Sequence, residues 1–127
     1  MKSQILKHVV IACFVTASAS AAFAGGKHDH SPKHGGIVVE AKDMDYEIVA
    51  KPELLQIYLS DHGKPAKIDG GKAKVTLLNG SEKTEAQLLA VGDKLEAKGS
   101  FKVAKGTKGV AMVTVAGKTS TVRFEVK

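Results

Sequence analysis

The sequence predicts an all-β fold: an antiparallel, immunoglobulin-like β-sandwich of about seven or eight short strands behind a flexible N-terminal arm. Three observations predict it. Short apolar stretches recur from Ile37 onward, each ended by Gly, Pro, Asp or Asn. Several of them alternate apolar and polar residues, so that successive side chains fall on opposite faces of a strand. No segment carries apolar residues at a convincing helical spacing. A small closed barrel is the competing shape for the same strands.

Taken in order, Ile37 to Ala41 is the first expected strand, and Lys42-Asp43-Met44-Asp45 reads as a polar turn, with a ligand group as its alternative. Tyr46 to Ala50 follows, with Tyr46, Ile48 and Ala50 on one face. Lys51-Pro52-Glu53 turns the chain, and Leu54 to Ser60 is apolar on both faces, as in a central strand. Asp61-His62-Gly63-Lys64-Pro65 is a strong turn signal. Lys74 to Leu78 alternates with Val75 and Leu77 inward, and Asn79-Gly80 tolerates the positive φ of a tight hairpin. Thr84 to Ala90 returns, although Gln87-Leu88-Leu89-Ala90 lacks β-branched residues and could form a helical turn. Asp93 to Val103 holds one bent strand or two short ones, broken near Gly99. Val110 to Val115 and Thr121 to Lys127 flank an Ala116-Gly117-Lys118 turn, with Met112 read as core and Val122, Phe124 and Val126 on one face.

Residues 1–24 read as a secretory signal peptide. Lys2 and Lys7 supply the positive start, Val9 to Ala22 the apolar run, and Ala22-Phe23-Ala24 the small residues at a cleavage site. The apolar run falls short of the roughly 20 residues of a membrane span, so no stable membrane anchor is expected after cleavage. Cys13 is the one cysteine. Val10-Ile11-Ala12-Cys13 loosely resembles a lipoprotein site, but the apolar stretch between Lys7 and Cys13 is too short, which favours cleavage after Ala24. The mature chain then carries no thiol. That excludes a disulfide framework and a thiolate metal site, and leaves nitrogen and oxygen as the metal donors.

The domain organisation expected is therefore the signal peptide, a His-rich arm over 25–36, and a sandwich over 37–127. Net charge is +6. It is spread as single lysines, with Arg123 alone and few aromatics, which argues against nucleic acid as a partner. Catalysis has no support either. Ser60-Asp61-His62 holds the residue types of a triad, but neighbours in sequence cannot form its relay, and no glycine-rich phosphate loop is present.

The arm carries the chemistry. Lys27-His28-Asp29-His30-Ser31-Pro32-Lys33-His34-Gly35-Gly36 places three imidazoles close together, with no large apolar residue to hold the segment down. Imidazole is the commonest side-chain ligand of divalent transition metals. On an extended chain His28 and His30 share a face, and Ser31-Pro32 can bend the chain to return His34. Those three, with Asp29 as a weaker donor, would suit tetrahedral Zn²⁺ or tetragonal Cu²⁺, with Ni²⁺ or Co²⁺ as alternatives. The donors must be neutral, so capture should weaken as pH falls through about 6.5. A terminal-amine copper site, which wants histidine third, is missed by one residue in Gly25-Gly26-Lys27-His28. His62 reads either as a turn residue or as a further ligand.

Three segments carry a family resemblance: Lys33-His34-Gly35-Gly36-Ile37-Val38-Val39-Glu40, Tyr46-Glu47-Ile48-Val49, and Tyr58-Leu59-Ser60-Asp61-His62-Gly63-Lys64-Pro65. They resemble small exported proteins associated with heavy-metal efflux, and the N-terminal region of periplasmic adaptor subunits of tripartite heavy-metal pumps. The resemblance spans about residues 30 to 80. It implies a Gram-negative periplasm and a role near cation export, and it adds weight to His34 and His62, which lie in the matching strings. The helical hairpin and lipoyl-type domains of an adaptor have no counterpart here, which puts direct pump bridging in doubt. The expectation is a periplasmic, non-enzymatic protein that buffers or hands over a divalent transition metal through His28, His30, His34, His62 and Asp29. Its alternative is an interaction module that docks by a strand edge on a periplasmic efflux component.

Overall fold

The computed structural model describes residues 30–127. The expected leader lies outside the described residues, as do His28 and Asp29. Nine strands account for the regular structure of the described residues: β1 (Ile37–Ala41), β2 (Met44–Lys51), β3 (Leu54–Asp61), β4 (Lys64–Pro65), β5 (Lys72–Asn79), β6 (Glu82–Val91), β7 (Lys94–Lys98), β8 (Lys108–Val115) and β9 (Lys118–Glu125). Among the described residues there is no helix. The fold is all-β, as the period-two patterning implied.

Every pairing is antiparallel, in the order β1-β2-β3-β7-β6-β5-β8-β9, with the two-residue β4 paired to β3. This is one unbroken hydrogen-bonded path. The β3–β7 and β5–β8 ladders carry the bonding around the corners where a sandwich would divide into two sheets. The end strands β1 and β9 come together, so the sheet rolls into a nearly closed barrel. The arrangement falls within the expected all-β class, in which sandwich and barrel shapes grade into one another.

The interior is lined by alternate residues. Tyr46 and Ile48 come from β2, Leu55, Ile57 and Leu59 from β3, Val75 and Leu77 from β5, and Val122 and Phe124 from β9. Gly109 pairs with Phe124, and a Cβ there would stand 2.0 Å from Phe124 Cζ. The missing side chain is therefore the room that the ring occupies.

Most connections are two-residue turns. Lys42 and Asp43 (φ 51° and 64°), His62 and Gly63 (50° and 82°), and Ala116 and Gly117 (53° and 76°) hold positive φ at both positions. That is the type I′ geometry, whose twist matches the flanking strands. Asp and His tolerate it better than most residues, whereas Lys42 and Ala116 do so at an energetic cost.

Several expectations are corrected. Met44 and Asp45 lie in β2, not in a turn, because the tight Lys42-Asp43 turn uses only two residues. The 87–90 segment is part of β6, with Leu88 buried and Leu89 exposed. Met112 is 47% exposed: in β8 it is Ala111 and Val113 that face inward, so Met112 must face out. Asp93 to Val103 holds only β7. The chain beyond it is irregular and is fastened by the buried Thr107, whose hydroxyl reaches Asn79 Oδ1 (2.5 Å) and accepts from the Ala104 amide (2.9 Å).

Candidate metal centre

Strands β1, β2 and β3 present two parallel rows on their outer face. In one, Glu40, Asp45 and Ser60 are direct cross-strand neighbours; in the next, Val38, Glu47 and Tyr58 are. Period two places Asp45 and Glu47 outward while Tyr46 and Ile48 point into the barrel. The N-terminal segment 30–36 crosses this face and sets one histidine over each row.

His34 belongs to the second row. Its ring stacks on Tyr58, with centroids 3.5 Å apart and planes 4° from parallel. Its Nδ1 lies 2.9 Å from Glu47 Oε1. Glu47 also accepts from the backbone amides of Lys33 (2.9 Å), His34 (2.7 Å) and Gly36 (3.0 Å). Burial pushes the Glu47 carboxyl up, but the bonds from Gly36, the His34 ring, and the Lys33 and His34 amides together outweigh it. They hold it below the ordinary carboxylate value. Gly36 permits the close approach: a Cβ there would stand 2.5 Å from the Ile48 carbonyl oxygen. Residues 30–36, the described part of the expected arm, have no regular structure but make these contacts with β2. They are pinned not by apolar burial, which the composition rules out, but by one carboxylate reading four donors.

His30 belongs to the first row. Its Nδ1 is 2.8 Å from Asp45 Oδ2, and its Nε2 is 3.9 Å from Glu40 Oε2. One donor atom from each of His30, Glu40 and Asp45 falls within 4.8 Å of the others. Asp45 is the least exposed of the three, at 15% of its side chain, against 49% for His30 and 58% for Glu40. Glu40 and Asp45 are registered opposite each other, and like charges placed so are destabilising unless a cation lies between them.

His62 reaches the same place from another direction. Met44 pairs with Asp61, so the Lys42-Asp43 and His62-Gly63 turns sit side by side at one end of the sheet. His62, hydrogen-bonded through Nδ1 to Asp61, joins Asp43, His30, Glu40 and Asp45 around a cavity of about 100 Å³. Of the residues expected to bind metal, the fold thus gathers His30 and His62, and sends His34 to a separate contact with Glu47 and Tyr58.

Glu40 and Glu47 were not anticipated as functional residues. For Glu40 the signal is the hairpin register: once the turn is placed at Lys42-Asp43, Glu40 must oppose Asp45, whereas nothing local marks Glu47. Comparison with protein-family models, with characterised proteins and with solved structures gives no match, so the chain's own geometry carries the functional reading.

Proposed function

We propose that this chain is an exported, non-enzymatic metal-binding protein that buffers or hands over a divalent transition metal (Cu²⁺, Zn²⁺, Ni²⁺ or Co²⁺) in the periplasm, in heavy-metal homeostasis or efflux. The observation that carries the proposal is the meeting of His30 with the opposed carboxylates of Glu40 and Asp45. One imidazole and two carboxylates are a borderline donor set that suits these ions. His62 at the rim supplies a second imidazole, and His28 and Asp29 of the same segment are further donors. Two of the three clustered groups are about half exposed, which suits a site that exchanges its ion over one that locks it in place. The roles of His34 and Glu47 differ from those of the ligands: they anchor the segment that delivers His30.

Calorimetric titration of the purified protein with each of the four ions tests this. His30→Ala and Asp45→Asn should each weaken the tightest-bound ion by at least about tenfold, the usual scale for removing a group that binds or directly orients a metal. Equal binding by wild type and both variants would remove the cluster as the site. Loss confined to His28→Ala would move the site onto the arm alone.

A further inference from the structure

The opposite face of the same hairpins opens into a second and much larger cavity. It occupies about 890 Å³ at one mouth of the barrel, where β2, β8 and β9 meet the β3–β4 turn. Its floor is apolar: Met44, Tyr46, Leu59, Val113 and Val115. Its rim is cationic, with Lys42, Lys64, Lys67 and Lys118 opposed by the single carboxylate of Asp61. All four lysines are exposed. Among the described residues, none of these four forms an ion pair with a carboxylate.

Tyr46 and Leu59 are buried at the base of this cavity. The polar groups around the opening are the four lysines, Asp61, Thr119 and Ser120. The volume lies within the range of about 300–1,000 Å³ typical of small-molecule sites, and an apolar body with few convergent polar groups is their usual chemistry. Four cations against one carboxylate, over an apolar floor, select a ligand with a hydrocarbon body and an anionic head. Lysine ammonium groups are hydrated point charges without the planar fork of arginine, so they favour a compact head such as a carboxylate over extended bidentate recognition. A second copy docked mouth to mouth would oppose two lysine rims and is disfavoured by repulsion.

We propose that this mouth is a binding site for a single-chain anionic amphiphile of the fatty-carboxylate class. The site is independent of the metal reading: β2 separates the two, with Met44 and Tyr46 facing one and Asp45 facing the other.

The test titrates laurate, below its micelle concentration and with a chelator present to strip any metal, into the purified protein. Binding is followed by calorimetry and by methyl NMR shifts, with dodecyltrimethylammonium as the cationic counterpart. Saturable binding of a single laurate, shifts at Met44, Leu59, Val113 and Val115, and no saturable binding of the cation are expected. The double variant Lys42→Glu/Lys118→Glu, with its fold checked by circular dichroism, should bind laurate about tenfold more weakly, because two attractions become two repulsions. Absence of saturable laurate binding would overturn the proposal. So would equal binding of the cation, shifts confined to the exposed Leu89 and Met112, or undiminished affinity in the folded double variant.

Discussion

Glu47→Gln is the sharpest probe of how the histidine segment is held. Each carboxylate oxygen takes two of the four bonds: Oε1 from the Lys33 amide and the His34 ring, and Oε2 from the His34 and Gly36 amides. Glutamine keeps one oxygen for two amides and turns its NH₂ group toward the His34 ring, which accepts from it in the other tautomer, and toward the Lys33 amide, which loses its acceptor; one bond is lost outright and the others lose the help of the charge, at nearly constant shape. A hydrogen bond to a charged group contributes about 1.5–3 kcal/mol. The donors here lie on an exposed segment that water can reach, which reduces each loss toward about 1–1.5 kcal/mol. The expected fall in unfolding free energy is then about 2–3 kcal/mol at neutral pH. Urea denaturation followed by circular dichroism measures it. The pH dependence adds a second reading. The folded pKa of Glu47 lies below that of an ordinary carboxyl, so the unfolded chain binds the proton more readily. The stabilisation is therefore complete above the unfolded pKa and is lost as pH falls through the folded one. The gap between wild type and variant should be full at neutral pH and close as acidification carries the solution through the folded pKa. A variant within about 0.5 kcal/mol of wild type, the range of an unremarkable surface change, would refute the reasoning. A gap that ignores pH would do the same.

Two stability changes check the barrel itself. Gly109→Ala places a Cβ about where the Phe124 ring sits, so it should destabilise by about 1–3 kcal/mol or more, with partial recovery in Gly109→Ala/Phe124→Leu; thermal melts of the single and double variants would show it. Ala116→Gly relieves a positive φ of 53° at the β8–β9 turn and should raise stability by about 0.5 kcal/mol, the relief being partly offset by the added freedom of the unfolded chain; a fall in urea midpoint would contradict the turn geometry.

Alternation was enough to orient most strands. Val75 and Leu77, Val122 and Phe124, and Tyr46 and Ile48 all face inward as their period-two spacing requires. It failed at Met112 because Val110 to Val115 is apolar on both sets of positions, and only pairing with β5 and β9 decides which set is covered. The turns were legible in kind but not in length. Reading Lys42 to Asp45 as a four-residue turn concealed Asp45 as a strand residue with an outward carboxylate. Glu47 read as one member of an alternating strand, and nothing local marked it as buried. Its burial comes from a segment more than ten positions earlier, which folds back across β2.

Composition and local patterning determined that the described chain would be β-structured, that its described residues would hold no thiol, and that His30 and His62 were worth watching. These follow from side-chain chemistry and from the two-residue repeat of a strand, which act within a few positions. Tertiary structure alone decided that the sheet would roll into one near-closed barrel, that His30 would meet Glu40 and Asp45 while His34 met Glu47, and that four lysines would ring one mouth. Those outcomes depend on register and closure between segments distant in sequence. A one-residue shift in either would send every one of these side chains to the opposite face.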